Sequence, residues 1–150
     1  MVNQPLISQV SAILIEHARE QGVSELQLQR AIRDEDVDFL NKVSGEHFKY
    51  DELFAHAYRY GEDLERALLQ GYQMNFNTLE GLQIWLMQKF GFEEGVSYQI
   101  EKGEFKHIVV KNDILQTLES RLATNWTVVK NDEDEEQKEH DVSLQLNTWF

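Results

Sequence analysis

Residues 126–150 read "WTVVKNDEDEEQKEHDVSLQLNTWF", and the fold turns on how this stretch is taken. Its middle, 131–141, holds seven acids and one lysine, the composition of a solvated, like-charged segment. A chain that simply frayed there would stay polar to its end. Instead Val142, Leu144, Leu146 and Phe150 alternate with Ser143, Gln145, Asn147 and Trp149, which is the period of a half-buried strand. "WTVVK" before the acidic run has strand composition too. The spacing therefore predicts two strands joined by a long acidic hairpin loop over 131–141, with Val142, Leu144, Leu146 and Phe150 facing the core and Trp149 facing outward.

Working back from that hairpin, periods of two and of 3.6 interchange. "NDILQTLESRLATN" is helical, with Asn112 as its cap and Ile114, Leu115, Leu118 and Leu122 inward. "VSYQIE" and "EFKHIVV" alternate on either side of Lys102-Gly103, a two-residue hairpin turn. "NTLEGLQIWLMQKFG" is helical through Leu79, Leu82, Leu86 and Phe90, capped by Asn77 or Thr78 and stopped by Gly91. "GYQMNF" alternates Tyr72, Met74 and Phe76 against Gln73 and Asn75. The order from 72 to 130 is thus β-α-β-β-α-β. It predicts a ferredoxin-like antiparallel sheet with both helices on one face, extended by a fifth, C-terminal strand.

The first seventy residues read as helices. Leu6, Val10, Ile13, Leu14 and Ala18 recur at helical spacing after Pro5, and Gly22 stops that helix. Ser24 caps the next one, with Gln27 as its capping-box partner and Leu28, Ala31 and Ile32 inward. Val37, Leu40 and Val43 mark a short third helix ending at Gly45. Asp51 caps a fourth with Leu53, Ala57, Leu64 and Leu68 on one face, broken or bent at Gly61. The chain is expected to be α+β: a helical N-terminal subdomain over 1–70, and an antiparallel sheet with two helices over 71–150.

Composition narrows the function classes. With 41% apolar and 11% aromatic residues, 150 residues suffice for a globular core. No cysteine is present, which removes disulfides, thiolate metal sites and cysteine nucleophiles and fits a reducing, cytoplasmic setting. The sequence lacks an apolar run of membrane-spanning length, and its first twenty residues read as an amphipathic helix rather than a signal peptide. No phosphate-binding loop, dinucleotide fingerprint, nucleophile elbow or zinc-protease motif occurs, so no catalytic residue, metal or cofactor is expected. A formal net charge of -13 disfavours nucleic acid and anionic membranes as partners.

One stretch pulls against that charge. Residues 18–33, "AREQGVSELQLQRAIR", set Ala18 four before Gly22 and Leu28, Ala31 and Ile32 six, nine and ten after it. This resembles the helix-turn-helix of bacterial repressors. The resemblance implies a second helix that presents Gln27, Gln29, Arg30 and Arg33 to base edges. It covers about sixteen residues. Glu25 and the following "DEDVD" depart from it by repelling phosphates, and no run of basic residues holds a backbone. The plain alternative is a packed helical hairpin.

Two other groups of residues could carry chemistry. Glu52 and His56, four apart on a helix face, could share a metal but lack a third ligand at diagnostic spacing. Phe48, Tyr50, Phe54, Tyr58 and Tyr60 could line a ligand pocket or form the seam between the helical and sheet halves. The first functional reading is a small acidic binding protein that regulates through protein–protein contacts. In one version it is an inhibitor that mimics an acidic surface. Asp132, Glu133, Asp134, Glu135, Glu136 and Trp149 are its partner-binding residues, for a basic protein or a second copy joined through a sheet edge. The alternatives are a helix-turn-helix transcription regulator and a small-molecule-binding domain.

Overall fold

The structure is a computed structural model and describes residues 4–45, 48–131 and 138–147. The chain opens with a two-residue strand β1 (Leu6–Ile7), followed by five helices: α1 (Gln9–Glu20), α2 (Glu25–Arg33), α3 (Val37–Val43), α4 (Asp51–Tyr60) and α5 (Leu64–Gln70). Then come β2 (Gln73–Met74), α6 (Leu79–Phe90), β3 (Gln99–Glu101), β4 (Glu104–Lys111), α7 (Asn112–Arg121), β5 (Trp126–Lys130) and β6 (Glu139–Leu146).

The fold is α+β, with a four-stranded antiparallel sheet in the order β3-β4-β6-β5. This corrects the expected ferredoxin-like, five-stranded layout. The "GYQMNF" strand shrinks to Gln73–Met74 and pairs in parallel with Leu6–Ile7, outside the main sheet. Its alternation serves other packing: Tyr72 and Met74 are buried among helices, whereas Phe76 is exposed. Two strands of two residues form this pairing, too short to show a period in sequence.

The C-terminal hairpin forms as expected, with Trp126 opposite Leu146 and Lys130 opposite Val142. Its second strand starts at Glu139, so the loop is shorter than 131–141, and Asn131 N–H closes its mouth on the Asp141 carbonyl at 2.8 Å. β6 does not extend the sheet at an edge; it lies between β4 and β5. That interior place takes His140, Val142, Ser143 and Leu144 out of solvent. Leu146, expected inward, is 47% exposed at the last pair of the ladder.

Local signals act through identifiable bonds. Lys102 and Gly103 both take positive φ, 53° and 76°, the primed turn that matches strand twist. Thr78, rather than Asn77, caps α6, and Ser24 caps α2 in a complete capping box with Gln27. Gly22 (φ 91°) closes α1: Val23 N–H reaches the Ala18 carbonyl and Gly22 N–H that of Arg19. Asn112 and Asp51 are first residues of their helices rather than caps. Asn112 Oδ1 instead meets His140 Nε2 at 2.6 Å, and Asp51 Oδ1 accepts from Asn41 Nδ2. Gly61 (φ 67°) ends α4, so the expected fourth helix is two.

One continuous apolar core runs from Ile7 to Leu144. On the sheet side Tyr98, Phe105 and Trp126 follow one another at centroid spacings of 5.1 and 5.6 Å. α1 packs chiefly on α6 and α4, α2 on α5 and α3, and α7 on the sheet. Where α1 meets α6, Gly81 leaves room for the Gln9 side chain; a Cβ there would stand 1.7 Å from its amide nitrogen. Buried Asn77 joins the parts. It accepts from Ala123 N–H and donates to Gln9 Oε1 through its side chain, while its carbonyl accepts from Asn125 Nδ2 and Trp126 Nε1.

Candidate functional site

The sequence-predicted residues divide sharply. Asp132, Glu133, Asp134, Glu135, Glu136 and Trp149 lie outside the described residues. On α2, Gln27, Arg30 and Arg33 are exposed and Gln29 is half-buried. Gln27 is already engaged, since its Oε1 accepts the Ser24 N–H at 3.1 Å. Arg33 is followed directly by Asp34, Glu35 and Asp36, all exposed. α2 seats mainly on α5 and α3, so the close crossing with α1 expected of a helix-turn-helix, or of a simple hairpin, is not its main packing.

The aromatic group does not gather into one pocket. Phe54 and Tyr58 line a shallow depression with Ile32 and Leu64, Tyr60 is exposed, and Phe48 and Tyr50 flank His17 elsewhere. Glu52 and His56 stand 3.8 Å apart. Among the described residues no group of three or more His, Cys, Asp or Glu could hold a metal ion, and no helix is long and apolar enough to cross a membrane.

What the sequence reading missed is the interior of α1. "AILIEHA" is buried along its whole length, Glu16 and His17 included. Glu16 Oε2 accepts from the Tyr72 hydroxyl at 2.5 Å, from Lys89 Nζ at 3.2 Å and from Arg19 at 3.2 Å. The Tyr72 oxygen in turn accepts from Trp85 Nε1 at 2.8 Å. Burial, and then the neighbouring Glu16 carboxylate, push the Tyr72 hydroxyl well above its ordinary range. Tyr50 is raised by burial as well. Its hydroxyl donates to the Leu14 carbonyl at 3.0 Å and meets His17 Nδ1 at 2.8 Å. A phenol has a single proton, so His17 Nδ1 carries its own and donates to Tyr50. These groups are satisfied within the protein and link α1 to α4, β2 and α6.

Beside α6, and bordered by His17 and Lys89 of this network, lies an open groove in two parts. Its first part is lined by His17, Glu20, Phe48, Met87, Lys89 and Phe90. Its second, about 660 Å³, is lined by Phe48, Glu80, Ile84, Met87, Phe92, Glu93, Glu94 and Tyr98. Phe48, Met87 and Gln88 line both parts, so the two adjoin. The local sequence explains the shape. α6 buries Leu82, Trp85 and Leu86 against the core yet still carries Ile84 and Met87, 42% and 37% exposed, on its outer side. Gly91, in the left-handed conformation, turns the chain so that Phe92 stacks on Phe90 at 5.2 Å and closes one wall. Phe48, edge-on to His17 at 4.5 Å, forms the other.

The charges around this groove are one-sided. Glu20, Glu80, Glu93 and Glu94 stand on its rim, and among the described residues the one lysine or arginine in its lining, Lys89, is bound to Glu16. The signal that could have found the groove is that α6 is apolar on more than the one face it needs for the core. A comparison of the chain with protein-family models, with curated proteins and with solved structures finds no match.

Proposed function

We propose that this chain is a non-enzymatic regulatory protein that acts by binding another protein through an acidic surface. The observation that carries the reading is the groove beside α6, which joins exposed apolar side chains to a carboxylate rim. Apolar contact supplies affinity in such a surface, while the rim selects the sign of the partner. The net charge of -13 acts in the same sense at longer range, drawing basic partners and repelling nucleic acid. The buried carboxylate of Glu16 is held by three donors inside the fold, an arrangement that suits support of the helices better than chemistry on a substrate. An inhibitor that competes by presenting an acidic surface is one form of this function. The lack of cysteine suits a reducing cytoplasm.

The test is capture from the native cell with the full chain as bait, followed by a salt wash. A basic protein that is retained and then released at about 1 M salt, where the screening length falls to about 3 Å, is the expected result. Recovery of a defined DNA sequence, lost on Arg30→Ala with Gln27→Ala, overturns it.

A further inference from the structure

We infer that the groove beside α6 receives a short, basic, amphipathic helix of the partner protein. This rests on the protein-binding reading above and names the ligand for it. α6 has 12 residues, so it presents about 18 Å of length, enough to seat about three turns of a second helix. Ile84 and Met87 are three apart on its outer side, between Phe48 and Phe92, and together they form an apolar strip. A helix laid against such a strip contributes residues at i, i+3, i+4 and i+7. Its flanks would then face Glu80, Glu93 and Glu94, which Lys or Arg side chains complement. Lys89 does not offset this rim, because its ammonium sits 3.2 Å from Glu16.

The same charges select against other occupants. Carboxylates on the rim oppose a nucleic acid or an anionic headgroup. A second copy of the chain would bring another -13 to the contact. A basic helix meets both the shape and the sign.

The experiment titrates the full chain into a fluorescent synthetic peptide of about 14 residues, with Leu on one helical face and Lys and Arg elsewhere, followed by anisotropy. A peptide of the same composition with its leucines scrambled off one face is the control. The scrambled peptide is expected to bind about tenfold or more weakly, as is the amphipathic peptide to Ile84→Asp. Ile84→Ala, which leaves α6 intact by helix propensity, should weaken binding several-fold. Glu80→Gln with Glu93→Gln and Glu94→Gln should weaken it and flatten its salt dependence. Glu35→Gln with Asp38→Asn and Glu65→Gln, charges off the groove lining, should leave binding unchanged. Equal binding of the two peptides, or an Ile84→Asp variant that binds like the parent, overturns the groove assignment. If binding is instead lost on neutralising 132–136, the acidic-surface reading survives and the groove proposal fails. A dimer seen by sedimentation that Ile84→Asp dissolves would give the groove to a second copy and also overturn the proposal.

Discussion

α1 and α2 are neighbours in sequence and opposites in structure. α2 has one apolar stripe, Leu28, Ala31 and Ile32, and leaves its charged residues in water. α1 is buried from Ser11 to Ala18 and carries a carboxylate and an imidazole inward. Each helix carries three charged residues, but those of α2 are all exposed, whereas Glu16 of α1 is dry and hydrogen-bonded, and a dry charge is held in place by everything that satisfies it. A buried polar group therefore says more about how a fold is fixed than an exposed motif does, even one with a familiar spacing.

The comparison breaks most visibly at Glu16. Glu16→Ala leaves the Tyr72 hydroxyl without its acceptor and Lys89 and Arg19 without their shared carboxylate, next to a new void. A loss of about 3 kcal/mol in urea-unfolding free energy is expected, the usual size for removing one partner of a buried charged group. Glu25→Ala removes the other carboxylate held by Arg19, this one 52% exposed, and should cost about 0.5 kcal/mol or less. Similar losses for the two variants would mean that burial is not what distinguishes the helices.

Alkaline pH probes the same interior without a mutation. Tyr72 and Tyr50 have hydroxyls raised above their ordinary value of 10.0 in the fold. The native state then keeps protons that the unfolded chain gives up. Stability contributed by these groups is complete below about pH 10 and falls above it, by at most about 1.4 kcal/mol per pH unit for each tyrosine. Unfolding midpoints measured from pH 8 to 11 should be level in this respect and then drop. Tyr72→Phe, although less stable at neutral pH, should drop less steeply.

What the sequence disclosed followed from how local each feature is. The β5–β6 hairpin was legible because its alternation spans several residues on both sides of the loop. The Lys102-Gly103 turn, the Ser24 cap and the Gly22 stop were legible because their bonds close within a few residues. The β1–β2 pairing was not, since it joins Leu6–Ile7 to Gln73–Met74 across most of the N-terminal half. Glu16 stands three residues before Arg19, the spacing of an ordinary surface pair, which hides its burial. The contrary signal lay just before it. "AILI" puts apolar side chains on every side of one helical turn, and a helix apolar all round belongs inside, with whatever polar residues follow. The α6 groove is hidden in the same way: Leu79, Leu82, Leu86 and Phe90 already satisfy a helical period, so Ile84 and Met87 do not stand out.

On α2 the expected effects are smaller and purely local. Ser24→Ala removes the oxygen that accepts the Gln27 N–H at 3.1 Å and should cost about 1 kcal/mol. That loss should appear as faster hydrogen exchange in the first turn of α2, with the Glu16 network unaffected. Should α1 amides lose protection equally, the two helices would unfold as one unit and the contrast between them would be structural only, not energetic.

The smallest effect belongs to Arg30→Ala with Gln27→Ala, the pair that a DNA-reading helix would need most. Arg30 is exposed, and Gln27 gives up only its capping-box bond to Ser24 N–H. The double variant should fold with a stability change of about 0.5–1 kcal/mol, nearly all of it from Gln27. Binding of the basic amphipathic peptide should not change, because neither residue lines the α6 groove. Measured with Glu16→Ala and Ile84→Ala, the variant separates three parts of one small protein: a surface motif expected to matter little to either property, an interior network expected to govern stability, and a groove proposed to govern recognition. A large stability loss from Arg30→Ala alone would place α2 in the structural role argued for α1, and would reverse the comparison.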